Sequence, residues 1–88
     1  MIVHVNGALL RFTDYRRDIS VAAPTIQAAL TKLADEYRPL QTVLFDRRGR
    51  LRAAHRIFLN GELLAPDQLD SPAGDADSVE LLLAISGG

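Results

Sequence analysis

The sequence predicts an α+β fold, a mixed sheet crossed by one main helix, on three observations. Ile26, Ala29, Leu30, Leu33 and Tyr37 fall at offsets 0, 3, 4, 7 and 11, a single apolar stripe at the helical period. Short runs rich in β-branched and aliphatic residues flank that stripe, at Met1–Phe12, Arg56–Asn60 and Val79–Ile85. Asn60-Gly61, set between two apolar runs, is a strong hairpin signal. A helix with one apolar stripe must lay it on a flat apolar surface, and a sheet is the available partner.

Each element follows from local chemistry. Met1 to Phe12 carries Ile2, Val3, Val5, Leu9, Leu10 and Phe12 around Asn6-Gly7, and reads as a strand kinked or bulged at the glycine. Asp14 to Asp18, with Tyr15, Arg16 and Arg17, reads as a turn, and Ile19 to Val21 as the returning strand of an N-terminal hairpin. Pro24-Thr25 marks a helix start, the Thr25 hydroxyl being available to the free amides of the first turn. Pro39 blocks continuation, so the helix ends near Tyr37 or Arg38. Leu40 to Phe45 is an apolar patch consistent with a helical turn, and Arg47-Arg48-Gly49-Arg50 is a basic loop. The strand Arg56–Asn60 turns at Asn60-Gly61 into Glu62-Leu63-Leu64. Pro66 to Asp77, rich in Asp, Pro, Gly and Ser, is loop with a short turn at Asp67-Gln68-Leu69. The last strand, Val79–Ile85, shows Val79, Leu81, Leu83 and Ile85 on one face and Glu80, Leu82 and Ala84 on the other.

Composition removes several function classes. Eighty-eight residues suffice for one small domain, and 48% hydrophobic with 24% charged residues is ordinary globular composition. Without cysteine there is no disulfide framework, no Cys-based zinc site and no thiol nucleophile. A net charge of −1 gives no bulk attraction to nucleic acid or membrane. The N-terminal apolar run is broken by His4, Asn6 and Arg11, and no stretch approaches the ~20 apolar residues of a membrane span, so a cytoplasmic location is expected. No Ser-His-Asp set, phosphate loop or dinucleotide motif is present, and His4 and His55 lack a second ligand at metal spacing. Asp75 and Asp77 read as a turn ahead of the last strand. No enzyme is expected here, and no metal site.

The element order is β-β-α-β-β-β, with the final strand expected beside the first at the centre of the sheet. That is the β-grasp, or ubiquitin-like, arrangement, here one domain over residues 1–88 with a flexible C-terminal tail over 85–88. The chain resembles a sulfur carrier of the ThiS/MoaD family. The resemblance runs through Met1-Ile2-Val3, Pro24-Thr25-Ile26, Ile57-Phe58-Leu59-Asn60-Gly61-Glu62, Gly74-Asp75-Ala76-Asp77-Ser78-Val79 and the tail Ala84-Ile85-Ser86-Gly87-Gly88. Their order and spacing carry it, since each piece alone is weak. The basic loop from Phe45 to His55 is more similar to molybdopterin-type and cysteine-biosynthesis-type carriers than to the shorter thiamin-type ones.

The resemblance implies a chemistry for the tail. An E1-like activating enzyme using ATP and magnesium adenylates Gly88, sulfur is delivered, and the resulting thiocarboxylate serves a sulfur-accepting biosynthetic enzyme. The chain itself binds no cofactor and acts as co-substrate. Physical reasons fit this. A carboxylate is a poor electrophile until converted to a mixed anhydride, and the site that does so must enclose it and exclude water. Gly87 and Gly88 lack a Cβ, so with Ser86 they can thread a narrow channel. The rival reading is a protein modifier joined to lysines through Gly88; a third is a non-covalent interaction module.

Recognition would fall to the body of the domain. Strand alternation places Phe58, Leu82 and Ala84 on the sheet face away from the helix, an apolar patch for docking partner enzymes. Arg47, Arg48, Arg50, Arg52 and Arg56 lie within ten positions, opposed locally only by Asp46. No aromatic residue is interleaved with them, so they read as a solvated loop rather than a nucleic-acid surface. Glu62, Asp67, Asp70, Asp75, Asp77 and Glu80 form a stretch without Lys or Arg, expected as an acidic surface near the tail that steers a basic activating enzyme.

Overall fold

Apolar alternation along the strands and the stripe on the helix meet in one core. The computed structural model describes residues 1–83; Ala84, Ile85, Ser86, Gly87 and Gly88, and with them the expected strand end and the tail 85–88, lie outside the described residues. The elements are β1 (Ile2–Val5), β2 (Asp18–Ser20), α1 (Ile26–Glu36), α2 (Leu40–Leu44), β3 (His55–Leu59), β4 (Glu62–Leu63) and β5 (Ser78–Leu83). They form a sheet of order β2-β1-β5-β3-β4. The β1–β5 pair is parallel and the other three are antiparallel. This is the β-grasp arrangement, with the last strand central.

The inward residues Val3, Val5, Ile19, Ile57, Val79 and Leu81 are buried and share one cluster with Ile26, Ala29, Leu30 and Leu33 of α1. Thr25 caps α1 by accepting a hydrogen bond from the Ala28 amide at 3.1 Å, and the helix stops at Tyr37 as Pro39 requires. The apolar patch at Leu40 is a short helix that buries Leu40 and Leu44. Asn60 and Gly61 both have positive φ, 50° and 86°, as a two-residue type I′ hairpin turn demands.

One expected element is corrected. The first strand ends at Val5, and Gly7–Phe12 forms a 3-10 helix rather than a continued strand. Gly7, at φ 63°, turns the chain off the sheet. Leu9 and Phe12, three residues apart, then share one side of a helix with three residues per turn and pack on the core. Buried Thr13 locks the exit by donating its hydroxyl to the carbonyls of Leu10 and Arg16. Among the described residues no helix is long and apolar enough to cross a membrane.

Candidate functional site

The last described strand lies at the centre of the sheet. β5 is bonded on one side to β1 and on the other to β3. Its root is clipped by Asn60, which donates its side-chain amide to Asp77 at 3.0 Å and accepts from the Ser78 amide at 2.9 Å. Asp77 also accepts from the Gly74 amide at 2.7 Å. The Asn60 amide, and after it the Gly74 amide, hold the Asp77 carboxyl below its ordinary value by favouring the charged form. Asp75 and Asp77 therefore belong to the turn expected there.

The registers align one residue from each strand across the outer face: Asp18, His4, Glu80, Phe58 and Leu63. Arg56 faces Leu82 in the neighbouring row, and Ile2 lies between Ser20 and Ser78 on the other side. Phe58 and Leu82 thus stand on the face away from α1, as alternation requires. Both are half-buried rather than fully open, because neighbouring strands and side chains cover part of each. Ala84, the third expected docking residue, lies outside the described residues, as do Ser86, Gly87 and Gly88.

Two apolar members of this face escape a reading of single strands. Ile2 is 43% exposed and Leu63 56%. Leu63 was recoverable in principle, since a two-residue turn at Asn60-Gly61 forces it opposite Phe58. Ile2 joins the face only through the long-range β1–β5 pairing. The charged end of the same row is tied by His4 Nδ1 and Asp18 Oδ1 at 2.6 Å.

Part of the expected acidic stretch lies away from Leu83, the last described residue of β5. β5 runs away from the Asp75–Asp77 turn, so those aspartates and Glu62, beside the hairpin turn, sit at the opposite end of the strand from the exit. At the exit Leu83 pairs with His55 and Leu82 with Arg56. Arg56 thus stands beside the last described residues, and Asp67 and Asp70 line the same groove as Arg56. Asp46 organises the arginine loop by accepting the amides of Arg48 at 2.8 Å and Arg50 at 3.0 Å. The Arg50 amide is the larger cause holding the Asp46 carboxyl below its ordinary value, with burial opposing it and the Arg48 amide adding to it. His55 is buried in the core rim and its Nε2 meets the Val43 carbonyl at 2.8 Å, a structural role. Among the described residues no cluster of three His, Cys, Asp or Glu is placed to hold a metal.

Comparison with known proteins agrees with this geometry. The ThiS family profile matches residues 3–88. No curated protein sequence matches the chain. Among solved structures the chain is similar to small archaeal modifier protein 1 (SAMP1) from Methanosarcina acetivorans, at 22% identity, 99% and 94% coverage of this chain and that one, and TM-score 0.85. CysO of Mycobacterium tuberculosis, described as an antigen, is 25% identical over 96% of this chain and 98% of its own, with TM-score 0.81. A chain of the Amycolatopsis orientalis BexX/CysO complex is 16% identical with 99% and 98% coverage and TM-score 0.81.

Proposed function

Because the chain belongs to the ThiS family, we propose that Gly88 is adenylated by an ATP-dependent E1-like enzyme and converted to a thiocarboxylate that donates sulfur to a biosynthetic enzyme. Membership makes the chain a ubiquitin-like sulfur carrier or modifier, a protein that acts through partners rather than as an enzyme. The observation that carries the finer reading is a family match extending to the terminal Gly87-Gly88, on a body whose central strand is fixed from both sides.

In this reading a carboxylate oxygen of Gly88 attacks the α-phosphate of ATP, pyrophosphate leaves, and the magnesium of the activating enzyme shares the phosphate charge. Sulfide then attacks the unhindered acyl carbon and AMP departs, leaving the thiocarboxylate. Glycine at the last two positions, following Ser86, lets the tail thread an enclosing site that keeps water from the anhydride. Phe58, Leu82 and Ala84, with Ile2 and Leu63, dock the partner enzymes. The CysO relative crystallised as a complex with BexX supports a partner enzyme of this kind.

Intact-mass spectrometry tests the proposal. The full chain incubated with its activating enzyme, ATP, magnesium and sulfide gains the mass difference between sulfur and oxygen, and loses that gain when Gly88 is deleted. An unchanged mass across candidate activating enzymes refutes it. Phe58→Asp or Leu82→Asp abolishes the gain while the thermal transition persists; loss of folding instead would assign those residues to the core. The likeness to a small archaeal modifier protein favours a second reading, conjugation of Gly88 to lysines, which high-mass ladders of tagged chain on denaturing gels would reveal.

A further inference from the structure

A second surface lies at the β4 edge of the sheet and shares only Arg56 and Leu63 with the outer face. There the loop after α2 and the segment following β4 enclose a groove of about 820 Å³. Leu51, Leu64 and Leu69 give it an apolar wall, and Arg50, Arg52 and Arg56 line it. Two of these arginines are held by backbone carbonyls instead of carboxylates. Arg52 Nε donates to Thr42 at 3.0 Å, and Arg56 Nη1 donates to Ala53 at 2.8 Å and His55 at 3.1 Å. The one ion pair among the described residues is His4–Asp18, so no arginine of the groove is paired with a carboxylate, although Asp67 and Asp70 line its facing side.

The backbone beside the groove is also open. The Leu64 amide bonds the Ile57 carbonyl at 2.8 Å, and antiparallel alternation then turns the N–H and C=O of Leu63 away from β3. Among the described residues no strand lies beyond β4. His55, which lines the same groove, is 6% exposed and keeps a buried Nδ1 without a partner among the described residues.

We propose that this groove takes an extended peptide segment of a partner protein, with alternating apolar and acidic side chains, added as a strand to the β4 edge. The apolar side chains fill the leucine wall, the peptide backbone pairs with Leu63, and the carboxylates reach the arginines. Asp67 and Asp70 on the facing segment repel carboxylates and so set which way the acidic side turns. Leu63 and Arg56 belong to both surfaces, whereas Ile2, Phe58 and Leu82 lie outside the groove, so a partner held here leaves most of the outer face open.

The test is a nuclear magnetic resonance titration of the isotope-labelled full chain with a capped heptapeptide alternating leucine and glutamate. Amide shifts are expected at Leu51, Leu63, Leu64 and Leu69. Arg50→Glu with Arg52→Glu weakens binding by about tenfold or more, consistent with lost charge-assisted bonds. The same peptide with lysine in place of glutamate does not bind. Shifts confined to Phe58 and Leu82, equal affinity for the lysine peptide, or no saturable shift would overturn the proposal. So would groove amides that move when residues 84–88 are removed without peptide, because the chain's own tail would then be the occupant.

Discussion

Replacing Leu81 and Leu82 by alanine, one at a time, probes two adjacent residues that the β5 register sends to opposite faces. Leu81 is fully buried and sits between Val5 of β1 and Ile57 of β3. Truncation removes three carbons, worth about 2.4 kcal/mol at ~0.8 kcal/mol each. A strand bonded on both sides cannot collapse into the space, so the residual cavity raises the loss toward ~5 kcal/mol. For 88 residues, stability of ~0.05–0.15 kcal/mol per residue totals about 4–13 kcal/mol, so Leu81→Ala takes a large share. At ~4–8 °C per kcal/mol, even the lower figure moves the midpoint by about 10–20 °C. Leu82 is half-buried with no layer above it, so its truncation costs about half the transfer value, ~1 kcal/mol, and leaves no cavity. Urea titration followed by far-ultraviolet circular dichroism measures both, with an unchanged m-value showing that the unfolding transition is the same. If Leu82→Ala cost as much as Leu81→Ala, the register would be wrong by one residue and the outer patch would be core.

Three further perturbations test local devices. Gly61→Ala destabilises by about 1–2 kcal/mol through backbone strain alone, since φ is 86° and a Cβ would meet open space. Gly74→Ala, equally open but outside the left-handed region, changes stability by less than ~1 kcal/mol, and chemical denaturation of the two variants side by side shows the contrast. Thr25→Ala leaves the Ala28 amide without its cap and costs about 1 kcal/mol, read as a lower thermal midpoint. Asp77 and Asp46 both have carboxyls held below the ordinary 3.8, so their stabilisation is complete above that value and is lost as pH falls through the depressed one. Asp77→Asn therefore lowers the urea midpoint at neutral pH but shows a smaller further loss on acidification than the parent chain.

The amino-acid sequence determined whatever depends on neighbours along the chain. Ile26 through Tyr37 specify α1 because a period of 3.6 declares both the helix and its buried face, and Thr25 and Pro39 supply its ends. Asn60-Gly61 specifies the hairpin because few residue pairs accept two consecutive positive φ angles. Alternation in β3 and β5 likewise separates Ile57 and Leu81 from Phe58 and Leu82, which places those two of the expected docking residues on one face. Tertiary structure alone decided what depends on distant partners. Leu9 and Phe12 look like strand residues until the core they pack against exists, and the chain then turns into a 3-10 helix to reach it. Ile2 joins the outer face, and Arg56 rather than Asp75 or Asp77 lies beside the last described residues of β5, because parallel pairing with β1 and antiparallel pairing with β3 fix direction as well as position. Local patterns record whether a side chain is buried; which end of a strand meets which loop is settled only when segments far apart in sequence close on one another.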